Sequence, residues 1–266
     1  MSAVPNLDDI RSAHGRKREY ERYLPLSRYV FRPIGFRLTW VALRLGITSE
    51  AVSWLSAAVG LLGLAGLMSG RPGVTAAGLG LLLFFNLLDC VDGSMARALG
   101  TGNPYGRFLD SICGGVVDLG FWAAVAVMAF RRPVLGSGSG LGEPTLWLAV
   151  GGVTCFLAAL LHEVEQAYEL IVHPAWQGPG GGEPTVGAAR EPWLKTLARN
   201  LRVRETQYGL LLVAMVAGAV DVLLAGYLLY YFVHVLAALR VYAARGRAVR
   251  VGAHGYRRPP SRSLSV

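Results

Sequence analysis

Charge is scarce in this chain. Only 16% of its 266 residues are Asp, Glu, Lys or Arg, against roughly 25% in soluble domains. Apolar residues make up 53%, and mean hydropathy is +0.41. That balance excludes an ordinary soluble globule, and it is far too apolar for a disordered chain. It predicts an integral membrane protein. Cysteine is scarce as well. Cys90, Cys113 and Cys155 are too few for a disulfide framework and form no C-x-x-C pair, which argues against a structural zinc site. Each sits in an apolar stretch, where a small buried hydrophobe belongs. The first 20 residues hold no apolar run of the secretory-signal kind.

What the chain has is long uncharged runs. Residues 51–70, 72–88 and 144–161 carry no charge; 111–130 carry one, Asp118; 206–239 carry one, Asp221. A spanning helix needs about 20 mostly apolar residues, and an open strand edge cannot sit in lipid. The last run is too long for one span and divides near Gly218–Asp221. The expected fold is therefore all-α, with six transmembrane helices.

Basic residues outnumber acidic ones, 26 to 17. With a cytoplasmic N-terminus, segments 1–49, 90–107, 173–204 and 240–266 lie inside and hold 9, 2, 5 and 7 Lys/Arg. The outside turns hold Arg71, Arg131 and Arg132. The positive-inside rule then places both termini in the cytoplasm. The net charge of +9 is topological, with a secondary attraction to anionic membrane lipids. Nothing in it calls for nucleic acid, because the Arg residues flank spans without interleaved exposed aromatics. Residues 24–46 mix Arg28, Arg32, Arg37 and Arg44 with large apolar residues and read as an interfacial amphipathic helix, interrupted at Pro33. Three regions follow: a cytoplasmic N-terminal segment 1–49, a six-span domain 50–245, and a flexible basic tail 246–266. The Gly/Pro-rich stretch 174–192 reads as a cytoplasmic loop, either a plain linker or a lid.

Ionisable groups in spans are costly, so each is a functional hypothesis. Asp89 and Asp92 close the second span, and Asp110 opens the third. Asp89 and Asp92 are three apart, hence about 60° apart on a helix and roughly 4.5 Å along its axis. The short connection 93–109 can bring all three carboxylates to one point. One acid at a helix end would be a solvated cap; three would repel one another. A hard divalent cation resolves that repulsion, and Mg²⁺ typically uses one or two carboxylates plus substrate phosphates. Gly93, Ala96, Gly100, Gly102 and Gly106 leave backbone accessible nearby, and Arg97 offers a planar fork suited to phosphate.

The spacing is Asp89-x2-Asp92-Gly93-x2-Ala96-Arg97-x8-Gly106-x3-Asp110. It resembles the signature of the CDP-alcohol phosphotransferase family, D-x2-D-G-x2-A-R-x8-G-x3-D-x3-D, with seven of eight fixed positions matched. The stretch LGITSEAVSWLS before the first span resembles the family's G-I-T-P-N-x-V-T, with Ser49, Glu50 and Ser53 in place of the Pro, Asn and Thr. Six spans, cytoplasmic termini and an interfacial helix also fit the family. The resemblance implies a membrane transferase of the plasma membrane, probed from the cytoplasmic side, and a homodimer. A CDP-linked donor, CDP-diacylglycerol first among candidates, passes its phosphoryl group to a small alcohol and releases CMP. Asp89, Asp92 and Asp110 would hold one or two Mg²⁺ or Mn²⁺ ions. Gly93, Ala96, Arg97, Gly106 and the Ser53 hydroxyl would contact the nucleotide and diphosphate.

One position departs. The family's fourth Asp, general base and second-metal ligand, falls where this chain has Gly114. Three explanations stand. Asp118 can substitute; it lies about 12 Å beyond Asp110 and roughly 80° around a helix, too far for the same metal, yet some members carry an acid there. The end of the fourth span can supply the base: His162, Glu165, Gln166 and Glu169 share a face, with Glu163 beside them. That face, free of Lys and Arg, suits a polyol or amino alcohol, or is simply the wet end of a helix. Third, the protein binds a CDP-lipid without turning it over, alone or as a partner subunit. A transferase working from a CDP-head group is a further alternative. Lys195, Arg199, Arg202 and Arg204 follow, either as positive-inside anchors or as an acceptor-phosphate site built on Arg199 and Arg202.

Overall fold

The computed structural model describes residues 5–15, 21, 24–132, 143–173 and 193–250. All regular structure among them is helical. A short α1 (Leu7–Ala13) starts under an Asn6–Asp9 capping box. A π-helical turn, Ser27–Phe31, runs without a break into α2 (Arg32–Arg44). Pro33 sits in the first turn of α2, just where the π turn gives way to α-helix, and the helix continues through it. The interruption expected at Pro33 is therefore absent. Then come α3 (Ser49–Met68), α4 (Pro72–Leu99), α5 (Pro104–Arg131) and α6 (Thr145–Ala167), the last extended by a π turn at Tyr168–Val172. Three more helices follow: α7 (Trp193–Arg202), α8 (Arg204–Ala217) and α9 (Val220–Arg250).

Five helices are long and apolar enough to cross a bilayer: α3, α4, α5, α6 with its π turn, and α9. The split expected near Gly218 is there, since Gly218 ends α8 with φ 68°, a conformation glycine adopts without penalty. But α8, the remaining span of the sequence reading, has 14 residues, or about 21 Å against a hydrocarbon core of about 30 Å. The helix α9 runs to Arg250, past residue 245 where the tail was expected to begin. The loop 174–192 and the rest of the tail lie outside the described residues.

Close approach of α3 to α4 sets the frame. A Cβ on Gly78 would stand 2.7 Å from the Gly63 carbonyl and the Leu67 N–H, and one on Gly66 would stand 2.8 Å from the Gly78 Cα. Small residues facing each other let backbones pack without a hydrophobic drive between helices. The core continues through Leu82, Phe85, Val117 and Phe121. It ends in an aromatic group from α5, α8 and α9: Trp122 lies 4.4 Å from Tyr227, and Phe121 5.2 Å from Tyr208, ring centre to ring centre. Two α9 tyrosines reach back to α7, Tyr227 to the Leu201 carbonyl at 2.9 Å and Tyr230 to the Ala198 carbonyl at 2.7 Å. These bonds satisfy carbonyls at the end of α7 and so fix where α8 begins.

Candidate active site

The turn between α4 and α5 assembles the site. Gly100 ends α4 with φ 63°, and its neighbours close the turn, a glycine C-cap. Asn103 begins α5, its side chain accepting the Gly106 N–H at 2.7 Å, with Pro104 next. The two helix ends thereby face each other across one cavity of ≈ 700 Å³. Asp89, Asp92 and Asp110 line it, as do Gly93, Ala96, Arg97, Gly106 and Ser53. Every metal and donor residue of the sequence reading is thus in one place.

Within the cavity, Asp92 is 6% exposed and accepts a 2.6 Å hydrogen bond from the Ser53 hydroxyl. A short bond to a carboxylate is charge-assisted and fixes the orientation of Asp92 across α3 and α4. The charges of Asp89 and Asp110 act on Asp92, so the three acids share one field. Arg97 lies against Gly93 and donates to Ser94 at 3.3 Å, while its Nε is buried with no partner among the described residues. Arg97 lines the cavity, and a planar guanidinium there fits an anionic ligand. Glu50 also lines the cavity and accepts from the Tyr105 hydroxyl at 3.3 Å, tying α3 to α5 at the rim.

Arg32 closes the cavity from the N-terminal side. It donates to Glu21 at 2.7 Å, and Glu21 pairs with His14 at 2.8 Å; all three are buried or nearly so. Burial alone would raise the Glu21 carboxyl, but the His14 hydrogen bond and the Arg32 charge outweigh it and hold it below its ordinary range. This wall was not foreseen. Arg32 was expected on an interfacial helix, and nothing local marks Glu21 as its partner.

Gly114 faces Arg204. The guanidinium donates from Nε to Asp118 at 2.6 Å and from Nη2 at 3.0 Å, and its Nη1 pairs with Asp89 at 2.9 Å. The Phe85 ring lies beneath it, 5.0 Å from Cζ to ring centre. Burial alone would weaken its charge, but Asp89 and Asp118 hold its pKa well above the ordinary arginine value. A Cβ built on Gly114 would overlap Nη2 of Arg204. Of the basic group before α8, Arg204 is therefore the residue that reaches the site, where the sequence reading favoured Arg199 and Arg202. Arg202 instead binds Glu165 on α6 with both its terminal nitrogens. The α6 face expected to lack basic residues gains one from another helix. Glu163 is exposed, and neither it nor Asp118 lines the cavity.

Comparison with known proteins gives the family. The sequence model of the CDP-alcohol phosphatidyltransferase family matches residues 39–179. The chain belongs to this family. The matched segment holds the whole acid cluster and ends before Arg204. Among curated relatives, the phosphatidylinositol phosphate synthases of Mycobacterium tuberculosis and Mycobacterium bovis are 35% identical over 94 residues, which is 35% of this chain and 42% of theirs. The same-named protein of Mycobacterium marinum is 33% identical over 93 residues, 39% of its length. The chain thus spans about two-fifths of the length of the relatives it matches.

The family is generally dependent on a divalent metal. Among the described residues, no group of three or more His, Cys, Asp or Glu stands so that it could hold a metal ion by itself. The donor set still fits: a hard cation bound through one or two carboxylates completes its shell with substrate phosphates, and three cavity-lining aspartates offer those oxygens.

Proposed function

We propose that this protein is a CDP-alcohol phosphotransferase that moves a phosphatidyl group from CDP-diacylglycerol to a small alcohol and releases CMP. The observation that carries the reading is the single cavity in which Asp89, Asp92 and Asp110 meet Arg97 and the small residues Gly93, Ala96 and Gly106. The cavity lies at one end of the apolar helices, so a lipid donor can keep its chains in the bilayer while its head enters a polar site. Asp89, Asp92 and Asp110 would hold Mg²⁺ or Mn²⁺. Such a cation, when bound, neutralises charge building on the diphosphate and the departing CMP.

The chain's own residues do the rest. Ser53 holds Asp92 in one orientation. Arg97, lining the cavity, presents its guanidinium to the diphosphate. Gly93 and Gly106 leave room for the nucleotide against the backbone. Asp118 is bound to Arg204, so its part is to position that guanidinium, and the proton of the acceptor hydroxyl leaves to Asp110 or to water. Glu163 stays a candidate for acceptor contacts from α6. The site and both termini face the cytoplasm of the plasma membrane, and the working unit is a homodimer. A phosphorylated inositol is our first candidate acceptor, supported by the relatives' name, phosphatidylinositol phosphate synthase, ahead of glycerol phosphate, free inositol, serine and amino alcohols.

A second reading has one observation in its favour. Arg204 fills the ground beside Gly114 where the family has its base, as expected of a CDP-lipid binder that no longer turns over. CMP release from CDP-diacylglycerol by the purified protein with Mg²⁺, across those acceptors, tests both. Release that needs one acceptor and is lost in Asp110→Ala supports the transferase. Tight CDP-lipid binding without CMP release from any acceptor overturns it in favour of the binder.

A further inference from the structure

We propose that the Arg204 guanidinium is a built-in cation standing where a second divalent ion would otherwise bind, so that this site takes one divalent cation per chain. This rests on the reading of Asp89, Asp92 and Asp110 as the metal end of the cavity.

A cation that bridged α4 and α5 beside Asp89 would need Asp89 and an acid reaching in from α5. In this protein Arg204 already holds those oxygens. Its Nη1 takes Oδ2 of Asp89 at 2.9 Å, and its Nε and Nη2 take both oxygens of Asp118 at 2.6 and 3.0 Å. All three guanidinium nitrogens are used, which is the arrangement an arginine fork favours and an ion cannot share.

Space gives the second, independent observation. Position 114 is one turn beyond Asp110 on α5 and faces the same side. Any side chain there starts with a Cβ that would overlap Nη2 of Arg204. An acid at 114 and the guanidinium in this place exclude each other. Gly114 thus leaves the room that the Arg204 guanidinium takes in this place.

Position gives the third. Arg204 is the first residue of α8. The Tyr227 and Tyr230 hydroxyls grip the last carbonyls of α7 just before it, and Phe85 underlies the guanidinium. The charge is held from three helices and costs little reorganisation to present. Asp92 and Asp110, which Arg204 does not bind in any contact described above, would hold the one divalent ion together with Asp89.

Counting ions tests this. Full-length protein in detergent is titrated with Mn²⁺ in the presence of CDP, and bound Mn²⁺ is read by electron paramagnetic resonance. The wild type is expected to bind one ion per chain, lost in Asp110→Ala. Arg204→Lys keeps the charge and is expected to stay at one. The double variant Gly114→Asp/Arg204→Ala restores an acid into vacated space and is expected to bind two. Two ions in the wild type overturn the proposal without any variant having to fold, and leave the transferase reading standing if CMP release persists. One ion in a double variant that keeps its helicity and its first ion also overturns it. No bound Mn²⁺ in any form overturns both the proposal and the metal reading beneath it.

Discussion

Arg204 and Gly114 show how a single residue change reorganises a charged site. Three acids within one field, with a fourth just outside the cavity, would repel unless cations stood between them. The guanidinium lowers that repulsion at Asp89 and Asp118. Gly114→Ala is expected to push it out of place. Overpacking of this kind destabilises by about 1–3 kcal/mol, so the thermal midpoint in detergent should fall while helicity persists. Asp118→Asn should weaken the hold on Arg204 without touching the cavity lining. Asp110→Ala, by contrast, removes a group at the reacting end and is expected to lower CMP release about 100-fold or more, with little change in midpoint. The Glu21 carboxyl is held below its ordinary range. Its folded pKa is lowered, so its stabilising part is fully present above the ordinary glutamate range and is lost as pH falls through the lowered value. Glu21→Gln breaks a buried pair with Arg32 and His14, at a cost of about 3–5 kcal/mol. The variant's midpoint should sit below wild type at pH 7, and the gap should close on acidification.

At the scale of elements, the site is the product of one turn and one helix contact. Gly100 and Asn103 close α4 and open α5 within four residues, and that turn sets the Asp92-to-Asp110 geometry. Asn103→Ala removes an N-cap worth about 1 kcal/mol. It should raise KM for the CDP-lipid more than it lowers kcat, as steady-state CMP release can show. Gly78→Leu would drive α3 from α4 at Gly63 and Gly66 and should destabilise the fold outright. Much of this was legible in the sequence. The uncharged runs marked α3, α4, α5 and α6, and the fixed spacing from Asp89 to Asp110 marked the donor end of the cavity. Gly218 marked the split between α8 and α9. What stayed hidden depends on contacts between distant segments. Nothing near residue 204 says that its side chain, rather than that of Arg199 or Arg202, reaches Asp118, 86 positions away. The α7–α8 junction decides that, and tyrosines on α9 hold the junction. The pairing of Glu165 was hidden for the same reason, since Arg202 reaches it only in three dimensions. Pro33 misled because a proline inside a first turn reads locally like a break.

Over the whole molecule, the helices make a bundle with its polar chemistry at one end. The acid cluster, Arg97, Arg32 and Arg204 gather there, and 23 of the 26 basic residues fall in segments expected on that side. Cysteine-reactive labelling of residues introduced near position 5 and position 248 should report both as cytoplasmic in intact cells.

The central claim is that this cavity transfers a phosphoryl group from a CDP-linked lipid. The most direct measurement is CMP release from CDP-diacylglycerol by purified protein with Mg²⁺, with each acceptor in turn, alongside Asp110→Ala. The account expects release that depends on one acceptor and disappears in the variant. Release of CMP that is equal with every acceptor and unchanged in Asp110→Ala, or none at all despite bound donor, would contradict it.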